Sequence, residues 1–434
     1  MNRYCVSGLV IAGLLLAGST GRAPAQTGQQ EVGDQHLVAE DLSAPDKTRL
    51  TALKDGTKAF APGDKRILDK AAQWFVYRIT WTQFQERKPR DGVTLATAMS
   101  VYDMLNKELY PLFIVPDPKR PSWKPNDNQQ VYMARFTESL LPAIQRVLKN
   151  PRPIARVNAG LILVKLSETG QEQIAPVLLE ILQDPEQIDA VKFYAVLALK
   201  NIFKGDPFRE IERDAFVDKD LEAQCIEALV KFLNRKPDLR GQRFSMGEID
   251  AFRYLRRATI RTIGETKFPA VAKRKEVLAK PALELLRIIR KDENVRPAPT
   301  ISEQVEAAIG LCKLQSRNYG DYQLEYAAHE LGQFLVEYGE MYENDRASKN
   351  PNPQVLKDDS LRLAKALDIL KDDSKASKKS IQEMIRLGRG MLTNIAAGAQ
   401  AVELRPLRQL LQQNPPSETS VYRGQPDSVI QKGG

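Results

Sequence analysis

A few groups of residues have types and spacings that could do chemistry. His329-Glu330-Leu331-Gly332-Gln333 opens like the zinc-protease motif H-E-x-x-H, whose two histidines sit one helical turn apart and offer ligands on one face. Gln333 holds the second position and the only other histidine is His36, so no zinc site is assembled and no metal is expected. Asp218-x-Asp220-x-Glu222 alternates three carboxylates as a calcium loop does, but Ala223 stands where that loop needs glycine. Asp220 is read instead as the cap of a helix Leu221–Leu233, with Glu222 favoured by the helix dipole. Cys225 and Cys312 lie in helical apolar patterns and read as small buried residues in preference to nucleophiles, with a disulfide between them the alternative in an oxidising compartment. No phosphate-binding glycine loop, serine elbow or dinucleotide fingerprint is present, so neither a cofactor nor an enzyme is expected.

Two candidate surfaces remain. Trp74, Tyr77, Trp81 and Phe84 recur at helical spacing and could offer a platform to a peptide, sugar or lipid. Leu68, Ala72, Phe75 and Ile79 give the same helix a second apolar face, and a helix apolar all round is sandwiched, so the stripe is expected to pack. The segment 235–296 holds 17 Lys or Arg against 8 Asp or Glu, as large a surplus as the +9 of all 434 residues. Within it Arg253, Arg256, Arg257 and Arg261 cluster, and Arg253, Arg257 and Arg261 share a helix face. Such a face could bind an acidic protein partner or an envelope polyanion; nucleic acid is not expected, for the reason that follows.

The chain carries an export signal. Arg3 precedes an uncharged apolar run, Val6 to Ala17, and Ala23-Pro24-Ala25 supplies small residues for cleavage between Ala25 and Gln26. That run is short of the roughly 20 apolar residues a spanning helix needs, and no later run comes near it. Residues 1–25 are therefore read as a removed signal peptide, leaving no membrane span, with the product in the periplasm or the extracellular medium. Residues 26–62 are polar and aperiodic and read as a flexible leader. Residues 63–130 form an N-terminal helical cap (helices over 64–86 and 93–109) and a connector over 111–130 whose five prolines exclude regular structure.

From about residue 131 the pattern repeats. Phe136, Leu140, Ile144, Val147 and Leu148 make a first helix, Asn150-Pro151 breaks it, and Ala159, Ile162, Leu163 and Leu166 line a second. The arrangement returns 34 residues later: Pro142 matches Pro176, and Asn150-Pro151 matches Asp184-Pro185. The second helices carry Ala155-Arg156-x-x-Ala159-x-x-Ile162-Leu163, Val191-Lys192-x-x-Ala195-x-x-Ala198-Leu199, Leu255-Arg256-x-x-Thr259-x-x-Thr262-Ile263-Gly264 and, without the basic residue, Ala307-Ala308-Ile309-Gly310-Leu311-Cys312. In these residues the chain resembles the HEAT repeats, the paired antiparallel helices of an α-solenoid family. The small residues let helices approach closely.

The resemblance covers 131–318, with insertions at 234–247 and 292–300. It implies an all-α, HEAT-like α-solenoid of antiparallel helix pairs with helical N- and C-terminal caps. Residues 319–413 are helical outside the repeat (Leu324 to Tyr342, 355–371, and 377–412 broken near Gly388 and Gly390). Lys357-Asp358-Asp359 and Lys371-Asp372-Asp373 read as boundary caps, and 414–434 as a disordered tail. The function implied is a non-enzymatic interaction scaffold. The alternatives are an enzyme on a HEAT-like fold, such as a lyase, and a purely structural envelope protein.

Overall fold

The computed structural model describes residues 37–81, 101–115, 119, 122–205, 216–235, 246–273, 276–316, 319–348 and 354–424. The signal segment, with Ala25 and Gln26, lies outside these residues. Among them the chain is helical, apart from one antiparallel hairpin, β1 (Val271–Lys273) with β2 (Glu276–Ala279), and a single bridge between Tyr322 and Tyr422. No helix among them is long and apolar enough to cross a membrane. The chain divides into two compact units, Met1–Val217 with Gly241–Ala251, and Asp218–Arg240 with Phe252–Gly434. The division falls inside 131–318, the segment expected to form one array.

The first unit contains α1 (Ala44–Lys54), α2 (Asp64–Arg78), α3 (Asp127–Leu148), α4 (Pro153–Ser167), α5 (Ala175–Gln183) and α6 (Asp189–Phe203). The leader is not structureless throughout. Ser43 Oγ accepts the Asp46 N–H at 3.2 Å to start α1, whose Leu50 and Leu53 are buried, and Arg49 forks onto Asp64 at 2.7 and 2.6 Å. Helix α3 likewise begins earlier than the apolar pattern shows. Asn126 and Gln129 close a reciprocal capping box at 2.9 and 3.1 Å, so α3 starts at Asp127 in what reads as connector. Pro153 at the first position of α4 starts that helix without losing an N–H bond. The motif residues of α4 and α6 then meet: Ala159, Ile162, Leu163, Ala195, Ala198 and Leu199 are fully buried. Gly160 admits the approach, since a Cβ there would lie 3.0 Å from the Tyr194 ring.

The second unit contains α7 (Lys219–Leu233), most of α8 (Met246–Ile263), the hairpin, α9 (Pro281–Ile289), α10 (Ile301–Lys313), α11 (Leu324–Ala347), α12 (Gln354–Lys371), α13 (Lys379–Ala396) and α14 (Arg405–Gln413). Three details depart from the sequence reading. The cap of α7 is Asp218 and not Asp220: its Oδ1 accepts the N–H groups of Asp220 and Leu221 at 2.9 and 3.2 Å. The second Lys-Asp-Asp does cap, through Asp373 at the short helix Ser374–Ser377, but Asp358 and Asp359 lie inside α12. And α13 runs unbroken through Gly388 and Gly390; the chain breaks later, where Gly398 turns at φ +77°.

The tail departs most. Val421 and Tyr422 are buried, Gln323 N–H donates to Val421 O and Arg423 N–H to Asp321 O, both at 2.9 Å. The Tyr422 hydroxyl donates to Pro269 O beside the hairpin. Ser420, Val421 and Tyr422 are therefore part of this unit's core; its aromatic cluster, Tyr319, Tyr322 and Tyr422, is what sequence composition conceals.

Candidate functional site

The arginine-bearing helix α8 is built by its apolar side. Leu255, Ala258, Ile260 and Ile263 are buried, and Thr259 and Thr262 satisfy their hydroxyls by donating to Leu255 O and Ala258 O, each at 3.0 Å. Just past its end Gly264 meets Gly310 of α10 backbone to backbone: a Cβ on Gly264 would lie 2.6 Å from the Gly310 Cα. The small residues of the third and fourth motif copies thus touch each other.

The four arginines separate. Arg256 is buried and is withdrawn from the candidate surface. Its Nε and Nη2 donate to the Glu303 carboxylate at 2.6 and 2.7 Å, and its Nη1 to Pro297 O at 2.7 Å. A guanidinium taken out of water needs these acceptors, and the bidentate pair with a buried carboxylate supplies them. Arg253, Arg257 and Arg261 are half-buried, spaced four apart along the helix. Arg261 donates to Glu306, a buried carboxylate that also takes Arg362 Nη2 at 2.7 Å. Burial would raise Glu306, but the bonds from Arg261 and Arg362 outweigh it and hold the carboxyl at about 2. Burial pushes the neighbouring Asp359 carboxyl up, with Arg362 opposing and the Glu306 charge adding to the rise. Among the described residues, Arg253 and Arg257 have no carboxylate partner; the Arg257 guanidinium lies 5.7 Å from the Tyr254 ring.

Much of the remaining surplus over 235–296 is answered by neighbours. Arg235 stacks on Phe232 and Phe252 at 4.3 and 5.6 Å, Arg287 pairs with Glu284 and Asp292, and Lys291 pairs with Glu337. Arg290 reaches Glu330 and the Tyr326 hydroxyl. Glu330 and Glu337 on α11, like Glu303 and Glu306 on α10, lie outside the window in which the surplus was counted, whereas Glu284 and Asp292 lie inside it.

No protein-family model, curated protein or solved structure matches the chain. The residues must speak for themselves. The aromatic stripe is divided: α2 ends at Arg78, so Trp81 leaves the helix and does not continue its face. Trp74 and Trp81 meet edge to face at 6.1 Å with the Arg78 guanidinium 5.0 and 5.9 Å from their rings, and Trp81 Nε1 donates to Leu37 O at 3.2 Å. Tyr77 is buried, and Phe84 lies outside the described residues. His329 faces its own Gln333, the nitrogens 3.0 Å apart. Cys225 and Cys312 are buried and are not joined in a disulfide, and burial pushes the Cys312 thiol up to about 12, so it stays protonated.

One charged surface has no counterpart in the sequence reading. The outer face of α13 and the end of α12 enclose an open groove of about 640 Å³ lined by Lys371, Lys379, Arg386, Arg389, Gly390 and Thr393, with Asp368 and Glu383 among its acids. Its signal is visible in hindsight, since 379, 386, 389, 390 and 393 fall on one helical face.

Proposed function

We propose that the protein is an exported, non-enzymatic interaction module whose HEAT-like helix pairs present the outer face of α8 to an acidic protein partner. Arg253 and Arg257 carry the reading. They are the arginines of the cluster whose charge meets no carboxylate among the described residues, whereas Arg256 and Arg261 are neutralised in place. A buried Arg256 anchors the helix, and Arg253 and Arg257, three positions before it and one after, stay half-exposed. Two unneutralised guanidiniums a turn apart raise the rate of encounter with an anionic surface more than they deepen the final complex.

The test is capture of partners from the cell-envelope fraction by the mature chain, at low and at high salt. Added salt shortens the Debye length from about 10 Å at 0.1 M to about 3 Å at 1 M, so a steered acidic partner is lost as salt rises. The charge-reversed Arg253→Glu/Arg257→Glu variant is expected to lose the same partner at low salt. Capture indifferent to both changes overturns the reading.

A further inference from the structure

Helix α13 breaks two local rules on the same face. Gly390 sits in its middle, exposed, and a Cβ there would meet nothing within 4 Å. Among the described residues the other mid-helix glycines answer to a neighbour: Gly160 to Tyr194, Gly310 to Gly264, Gly332 to Leu411, Gly339 to Leu404 and Gly388 to Leu335, each too near for a comfortable Cβ. Glycine in a helix interior lowers the folded-to-unfolded ratio about two- to five-fold against alanine, so Gly390 weakens α13 with no packing gain inside the molecule. Lys379 is the second irregularity. It is the first residue of α13, where the helix dipole opposes a cation, and it has no ion pair among the described residues. Gly390 gains the fold no packing, and Lys379 gains only a charge attraction to Glu383 one turn on, without an ion-pair contact.

Both line the groove between α12 and α13, together with Lys371, which is exposed and likewise unpaired among the described residues. Arg386 and Arg389 complete the lining, held to Glu383 at 2.6 Å and to Asp368 at 3.2 Å. These are exposed pairs of little net strength, and an incoming carboxylate can exchange into them. Four cations against two carboxylates leave the groove positive, and the bare Gly390 backbone lets another chain come close. We infer that this groove docks an acidic segment of a partner protein, lying along α13 with carboxylates over Lys379, Lys371 and Arg386 and its backbone against Gly390. From Lys379 to Gly390 the helix rises about 16 Å, the span of about five extended residues. The groove is separate from the α8 face, and the inference does not rest on that face.

A labelled synthetic peptide of about twelve alternating Glu and Ala residues, titrated into the full chain at low salt, reads the groove directly, with its Gln-Ala counterpart as control. Saturable binding of the Glu peptide is expected, weakened about ten-fold by Lys379→Glu/Arg386→Glu. Gly390→Ala is expected to weaken it at least about three-fold while denaturing at or above the wild-type temperature, a combination that damage to the fold does not produce. Arg253→Glu/Arg257→Glu should leave the peptide's affinity unchanged. Failure of saturable binding, equal binding of the Gln peptide, wild-type affinity in Gly390→Ala, or displacement of the peptide by phosphatidylglycerol vesicles overturns the inference. Loss confined to Arg253→Glu/Arg257→Glu also overturns it, while leaving the α8 reading intact.

Discussion

Arg156 of the first unit and Arg256 of the second hold the same position in two copies of one motif, and both reach the entrance of the following second helix. Arg156 Nη1 meets the neutral amide of Gln187, just before α6, at 3.3 Å, and remains half-exposed. Arg256 meets the carboxylate of Glu303, in the first turn of α10, and is sealed from water. The glycines of these copies differ in parallel, Gly160 facing an aromatic ring and Gly264 another glycine's backbone. One sequence device thus yields a loose polar contact in one unit and a rigid, fully desolvated one in the other. A motif residue fixes where the contact falls, while its partner decides how much depends on it.

The sharpest way to break the comparison is to remove each arginine. Arg256→Met strands the Glu303 carboxylate in the core and should cost about 3–5 kcal/mol in denaturant unfolding, whereas Arg156→Met should cost about 1 kcal/mol or less. Equal losses would mean that burial is not what separates them. Removing both partners, Arg256→Met with Glu303→Leu, should recover most of the loss, because no lone charge then remains inside.

Acid probes the same contrast through Glu306. Its folded value of about 2 lies below the ordinary 4.5, so its stabilising effect is complete above the ordinary value and is lost as pH falls through about 2. Wild type should exceed Glu306→Gln by about 3 kcal/mol near neutrality, the gap closing between about pH 4.5 and 2. The acceptor in the Arg156–Gln187 contact is an uncharged amide, with Asp184 acting on Arg156 only through its charge and not through a bond, so Gln187→Ala should shift stability alike at both ends of that range. Paired acid titrations of unfolding, followed by circular dichroism, check both statements.

The glycines give the smallest effect. Gly264→Ala forces two backbones apart and should cost about 2–3 kcal/mol, while Gly160→Ala meets only the Tyr194 side chain, its Cβ and ring both at 3.0 Å, and should cost about 1 kcal/mol. Thermal melts of the two variants rank them.

The parts of this molecule legible in its sequence are those set by local periodicity. The apolar spacing from Phe136 onward, the small residues of the motif and the helical course of 320–413 all correspond to helices. What periodicity alone does not carry was misread or missed. Helix α1 buries few apolar residues, so Leu50 and Leu53 are hidden in polar composition. Asp218 and Asp220 are both good caps, and only the backbone geometry picks Asp218. Gly388 reads as a breaker until Leu335 is seen against it. The four arginines do lie on one helix, α8, but net charge over a window counts cations without their distant acids. Glu303, Glu306 and Glu337 lie outside that window. The groove on α13 escaped for the same reason, being made by two helices and not by one.

The Tyr422 hydroxyl reaches across 153 residues to Pro269, whereas Asn201 of the first unit reaches back only 37 to Val164. Closing the longer loop costs about 1 kcal/mol more in chain entropy, and it must be closed before the bond repays anything. The order of events follows from that difference. Helices α3 to α6 of the first unit can zip together through short closures, while the second must hold its hairpin and tyrosine pocket open until a distant stretch of chain returns to them. Folding speed, and with it the time apolar surface stays bare, is set by that late return.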